Sequence, residues 1–144
     1  MAYNDCLHKT ELAAQAHAAA LVTSLAFNSF TGLDSDTKAL PSITFMGEAS
    51  EPIHEGDIIA NRLVTLAIAI RTNADDTTPA VHRGHVQSFL DLFYTDTLAA
   101  DLNGIVDDFA CMAYENLGEQ QETIDRSHVT TARLRLHVGP SDIA

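Results

Sequence analysis

The chain has 144 residues, 46% of them hydrophobic, and 20 Asp and Glu against 8 Lys and Arg, giving a formal net charge of −12. That charge excludes a protein that grips nucleic acid through its phosphates, and the apolar content excludes a disordered acidic tail. The length fits one domain, residues 1–144, able to bury roughly two thirds of its unfolded surface, and the longest apolar run is too short to span a bilayer.

From about Asn4 to Asn28 the pattern predicts a first helix, capped by Asn4 or Asp5, with Leu7, Ala14, Ala18, Leu21 and Leu25 along one face. Its alanines let it lie close to a sheet. Asn28 to Pro41 is rich in turn residues, including Gly32, Asp34, Ser35 and Asp36. Pro41 then opens a short strand, Ser42 to Gly47, and Glu48 to Gly56 reads as an acidic connection into a long strand from Ile58 to Thr72. Within it, Arg62-Leu63-Val64-Thr65-Leu66-Ala67-Ile68-Ala69-Ile70-Arg71 is apolar enough for a central strand. Two strands joined so directly are expected to be antiparallel.

Asn73 to Pro79 is a loop ending in a helix start, with Thr78 as cap and Pro79 in the first helical position. Val86, Phe89, Leu90 and Phe93, extended by Leu98 and Leu102, predict a second helix running to about Leu102. Ile105 to Glu115 has a composition that permits a helix. The strand reading is preferred, because Phe109 to Tyr114 followed by a polar turn at Asn116 to Glu122 makes one arm of a hairpin. The other arm is His128 to Val138, where Thr131-Ala132-Arg133-Leu134-Arg135-Leu136-His137-Val138 alternates as a strand with one buried face requires. The order helix, strand, strand, helix, strand, strand predicts an α+β fold. Its sheet is expected to be mainly antiparallel and four-stranded, with two helices packed on one face.

Little in the chain has the spacing of chemistry. His82 and His85 share a helical face and could hold a metal with Asp75 or Asp76, but a zinc site needs three or four ligands; they read as surface or helix-entry histidines. His54 beside Glu55, and Cys6 near His8, lack an orienting third group. Asp75-Asp76 and Asp107-Asp108 lack the oxygen-rich loop of a calcium site and read as solvated turns. Gly56, Gly84, Gly104 and Gly118 form no phosphate-binding run. Cys6 and Cys111 belong to no Cys-x-x-Cys pair and are expected to be free. No catalytic residue, cofactor or metal is expected, and the N-terminus has no signal-peptide pattern, which favours a cytoplasmic site.

The charges are unevenly spread. No Lys or Arg occurs between Arg83 and Arg126, while Arg62, Arg71, Arg126, Arg133 and Arg135 lie in or beside the two clearest strands. This reads either as solvated faces or as complementary patches between copies or with a partner, with Arg62, Arg71, Arg133 and Arg135 as interface residues.

The order of elements resembles the small tail-completion proteins of long-tailed bacteriophages, the tail terminators. The residues that carry it are the N-terminal helix, Pro41-Ser42-Ile43-Thr44-Phe45, the acidic loop and the strand ending in Arg71-Thr72. His82-Arg83-Gly84-His85-Val86 leading into Phe89-Leu90-Asp91-Leu92-Phe93, the helix end at Leu98 to Asn103, and Leu134-Arg135-Leu136-His137-Val138 complete it. The resemblance implies a non-catalytic assembly protein of the virion, made in the host cytoplasm. It would form a hexameric ring on the head-proximal end of the tail tube. Its partners would be the tail tube protein and a head-tail connector or stopper protein, with DNA passing through the lumen without specific binding. A different neck or head-completion protein, or a small cytosolic α+β enzyme or ligand-binding protein, are the alternative readings.

Overall fold

A computed structural model describes residues 5–32, 39–52, 62–103, 105 and 110–139. In chain order the elements are α1 (Cys6–His17), α2 (Ala19–Leu25), β1 (Asn28–Thr31), β2 (Ser42–Pro52), β3 (Arg62–Asn73), α3 (Pro79–Phe93), α4 (Leu98–Leu102), β4 (Ala110–Ile124) and β5 (Ser127–Gly139). The strands form a five-stranded sheet in the order β1, β2, β3, β5, β4. The expected four-stranded, mainly antiparallel sheet with two helices is thereby corrected. The sheet is mixed, since β1 runs parallel to β2, and the described residues form four helices.

Each difference has a local cause. β1 is only the four residues Asn-Ser-Phe-Thr inside the turn-rich stretch, too short to show an alternating pattern. The first helix is split at Ala18, whose N–H is shared between the carbonyls of Ala14 and Ala16. No Gly or Pro marks that break. The inward face also differs: Cys6, Thr10, Glu11, Ala13 and Ala14 are buried, whereas Leu7, Leu21 and Leu25 only flank the core. Asp5 is the N-cap, accepting from the His8 N–H at 3.1 Å, and Asn4 lies outside the described residues. The predicted second helix is two. α3 is capped by the Thr78 hydroxyl with Pro79 in its first turn, then ends at Tyr94, and Thr95-Asp96-Thr97 turns the chain before α4. β-branched and Asp residues are poor helix formers, and the turn lets Leu98 and Leu102 enter the core.

β2 continues through Glu48 to Pro52, which the sequence reading made a connection, and a bulge between Gly47 and Ala49 accommodates the acidic residue. β3 is antiparallel to both β2 and β5 and is the central strand. The hairpin is present, but residues 116–122 are strand, not turn. Its turn is Asp125-Arg126, both at positive φ (47° and 60°), the geometry of a two-residue type I′ connection. Of the segment 105–115, residues 110–115 are strand, Ile105 is an exposed bend, and 106–109 lie outside the described residues.

Register sorts the side chains. Ile43, Phe45, Val64, Leu66, Ile68, Ile70, Ala132, Leu134, Leu136 and Val138 face the helices and are buried. α1, α3 and α4 meet them there, with Ala13 and Ala14 allowing close approach and Phe89 and Phe93 filling the layer between. On the opposite face Leu63, Thr65, Ala69, Arg71, Thr131, Arg133, Arg135 and His137 carry only partial cover or none, while Ala67 and Val129 are buried.

Candidate assembly surfaces

Strand period two decides which arginines can act together. Arg71, Arg133 and Arg135 have the parity of the face away from the helices, with Arg133 and Arg135 two residues apart on β5. Arg71 lies four residues along β3 from Ala67, the partner of Arg133, or about 13 Å away. Arg62 has the parity of Val64 and Leu66 and so faces the helix side. Its Nε donates to the Ser50 hydroxyl at 2.5 Å and its Nη2 to the Ser50 carbonyl at 3.0 Å. The structure therefore brings three of the four proposed interface arginines to one face and separates the fourth.

These arginines do not make a basic sheet. Arg133 Nε donates to Glu48 Oε1 at 2.8 Å and its Nη2 to Oε2 at 3.3 Å, a two-pronged pair across three strands. Arg135 is exposed and stands opposite Glu115 in the β4–β5 register. Arg71 Nη2 donates to the Ser127 hydroxyl at 3.3 Å, and its Nε is buried without a hydrogen-bond partner among the described residues. Each cation thus has a nearby strand acid or hydroxyl. The sequence hid this because Glu48 reads as a loop residue and Glu115 as the end of an arm. A shallow pocket of about 230 Å³ lies on the same face, where Leu63, Glu115, Arg135 and His137 meet and His137 Nε2 is buried without a partner among the described residues.

The remaining polar residues are used structurally. His82 is fully buried, not a surface histidine: Nδ1 pairs with the Thr72 hydroxyl at 2.8 Å and Nε2 with the Thr130 hydroxyl at 2.9 Å. Both ring nitrogens are committed, and the His128 ring lies 5.4 Å away. Burial, reinforced by His128, His85 and Arg83, holds the His82 pKa down at about 4. His85 instead packs its ring on Phe27 at 5.2 Å. Asp75 and Asp76 are exposed in the turn after β3, with Asp75 at 3.9 Å from Arg126. Among the described residues no group of three or more His, Cys, Asp or Glu is placed to hold a metal ion. Cys6 and Cys111 are buried and not joined by a disulfide, and burial pushes the Cys111 thiol up to about 11. His8 pairs with Glu11 at 3.1 Å. His54, Glu55, Asp107 and Asp108 lie outside the described residues.

Sequence reasoning missed Glu11. It is buried in α1 and accepts the Gly47 N–H at 2.7 Å, tying the first helix to the bulge of β2. It also missed Tyr94, whose hydroxyl donates to Glu119 at 2.8 Å and whose pKa is raised by burial and by that carboxylate. This bond fastens the end of α3 to the middle of β4.

No helix among the described residues is long and apolar enough to cross a membrane. No protein-family model matches the chain, and no curated protein matches it. Among solved structures, a chain of the virion of a native gene transfer agent particle superimposes with a TM-score of 0.62 at 10% sequence identity, covering 94% of this chain and 98% of that one. The two chains share a fold over nearly their whole lengths.

Proposed function

We propose that this chain is a structural component of a phage or phage-like virion, and within it a tail terminator: a subunit of a ring that caps the head-proximal end of the tail tube and offers a joining surface to the head. The observation that carries the reading is the fold shared with a component of a gene transfer agent virion across 94% of this chain. The order of elements resembles the terminator family independently of that match. Glu11, His82 and Arg133 are engaged in hydrogen bonds that hold strands and helices together, which suits a non-catalytic assembly role.

A ring requires a heterologous interface, in which one patch meets a different patch on the next copy. A net charge of −12 suits a lumen through which DNA slides without sticking. Arg135, and with it Arg71 and Arg133, are the cations proposed to meet acidic surface on a tube subunit or a neighbouring copy. The test is electron microscopy of particles made without this chain. Tails of uncontrolled length beside filled, tailless heads are expected. Tails of normal length that fail to join heads would move the assignment to a connector or head-completion protein. Normal virions would leave an enzyme or ligand-binding role as the better reading.

A further inference from the structure

Between α3 and the middle of β4 lies a groove of about 470 Å³. Val86 and Leu90 give it an apolar floor, with Arg83 toward one end and Asp91 and Glu119 toward the other. Gly84 borders it one turn after Ala80, and a Cβ built on Gly84 would meet nothing within 4 Å. No neighbour among the described residues requires glycine there, in the interior of a helix that glycine weakens. A bare helical wall of this kind suits close approach by another chain.

The β4–β5 hairpin ends in a tip of matching character. Ile124 is 41% exposed, as are Met112 and Leu117 on the same strand to a similar degree, and it stands directly beside the turn. The side chain of Arg126 is 84% exposed, and its 3.9 Å approach to Asp75, itself exposed, holds it only weakly. The tip is nevertheless fixed in place, because the Arg126 carbonyl accepts the Ala74 N–H at 2.7 Å. Its turn sets an acid, Asp125, beside a base, Arg126, and the groove sets a base beside two acids.

We infer that the groove between α3 and β4 is the receiving half of a head-to-tail contact between two copies of this chain, filled by the Ile124-Asp125-Arg126 tip of the next copy. Ile124 covers Val86 and Leu90, Arg126 meets Asp91 and Glu119, and Asp125 meets Arg83. Copies carrying −12 each repel one another unless scarce cations are set against carboxylates, and this docking does that. Tip and groove are different patches, as a heterologous contact demands. The inference rests on the ring reading for the expectation that copies associate head to tail.

Sedimentation velocity over a concentration series tests it, with three variants and one combination. Gly84→Gln should raise the melting temperature of the subunit by about 2–4 °C through helix propensity, yet abolish self-association by plugging the groove. Arg126→Glu and Asp91→Arg should each weaken self-association at least about tenfold, and the two together should recover most of it. The inference is overturned if Gly84→Gln and Arg126→Glu associate like the unaltered chain, if the combination is no better than either single change, or if the unaltered chain stays monomeric at every concentration. Binding of the unaltered chain to polymerised tube ends reports separately on the terminator reading. Self-association with the predicted variant pattern but no tube binding upholds the contact while removing the terminator role.

Discussion

His82 offers the sharpest test of the interior. The ring is fully buried between Thr72 of β3 and Thr130 of β5, and its pKa is held at about 4 against 6.5 when unfolded. Two hydroxyls can accept from a doubly protonated ring, so hydrogen bonding does not forbid the charge. Lost hydration does, helped by the electrostatic influence of His128, His85 and Arg83. Between the two pKa values the unfolded chain binds a proton that the folded chain does not, so stability is complete above about pH 6.5 and falls as pH drops toward 4. At about 1.4 kcal/mol per tenfold change in proton affinity, the full loss is about 3 kcal/mol, of which about 2.5 has gone by about pH 4.5. Urea unfolding from about pH 7.5 to about pH 4.5 measures it, comparing the unaltered chain with His82→Gln, which keeps hydrogen-bonding capacity and lacks the titration. The many carboxylates contribute to both curves and cancel in the difference. His82→Gln starts lower and should lose about 2.5 kcal/mol less on acidification. Parallel curves would refute the reasoning, as would an imidazole resonance of His82 titrating near its ordinary value.

Three further outcomes follow from packing and charge. Phe93→Ala, at a fully buried ring in edge contact with His17 at 5.2 Å, should cost about 3–5 kcal/mol in urea unfolding, while Arg133→Ala, removing an exposed pair with Glu48, should cost less than about 1 kcal/mol. Gly47→Ala should cost about 1–3 kcal/mol, because its Cβ would fall 2.5 Å from Leu7 Cγ and 3.2 Å from the Leu7 carbonyl, forcing α1 off the β2 bulge. Cys6 and Cys111 should resist iodoacetamide in the native chain at neutral pH and react quickly in urea, since both are buried and the Cys111 thiol is pushed up to about 11; rapid native labelling of either would contradict its burial.

The parts of the fold legible in the sequence are those whose signal is repeated along many residues. β3 and β5 alternate or run apolar for twelve and thirteen residues, and both appear, paired to one another. The start of α3 was legible because Thr78-Pro79 carries capping chemistry in two adjacent residues. Elements decided by contacts distant in sequence were not. β1 exists because its four residues line up beside Ser42 to Phe45 of β2, and nothing within Asn28–Thr31 records that partner. β4 was shortened because Asn116 to Glu122 is polar on both faces, as suits a strand at the sheet edge whose side chains are largely exposed. The true turn, Asp125-Arg126, lacks the Gly that usually announces a type I′ hairpin.

The candidate surface was legible in the same partial way. Period two within β5 puts Arg133 and Arg135 on one side, and it is also why Arg62 and Arg71, nine residues apart in β3, fall on opposite faces. An odd separation in an unbulged strand reverses the side chain, so that division needed only a firm strand assignment. The charge environment needed more. Glu48 reaches Arg133 across 85 residues of sequence because β2 extends past Gly47 and bulges, and the helix-rich middle places Glu119 under Tyr94 by crossing α4 and returning along β4. Sheet neighbours therefore neutralise much of what looked like a basic face. Arg126, in the hairpin turn where a linear reading gives it no special standing, is far more open than Arg133. If copies of this acidic chain associate through opposite charge, that exposed tip is a better donor than the paired arginines of the sheet. Arg126→Glu should then disrupt self-association more than Arg133→Glu does, and the reverse order, measured by sedimentation, would return the interface to the sheet face.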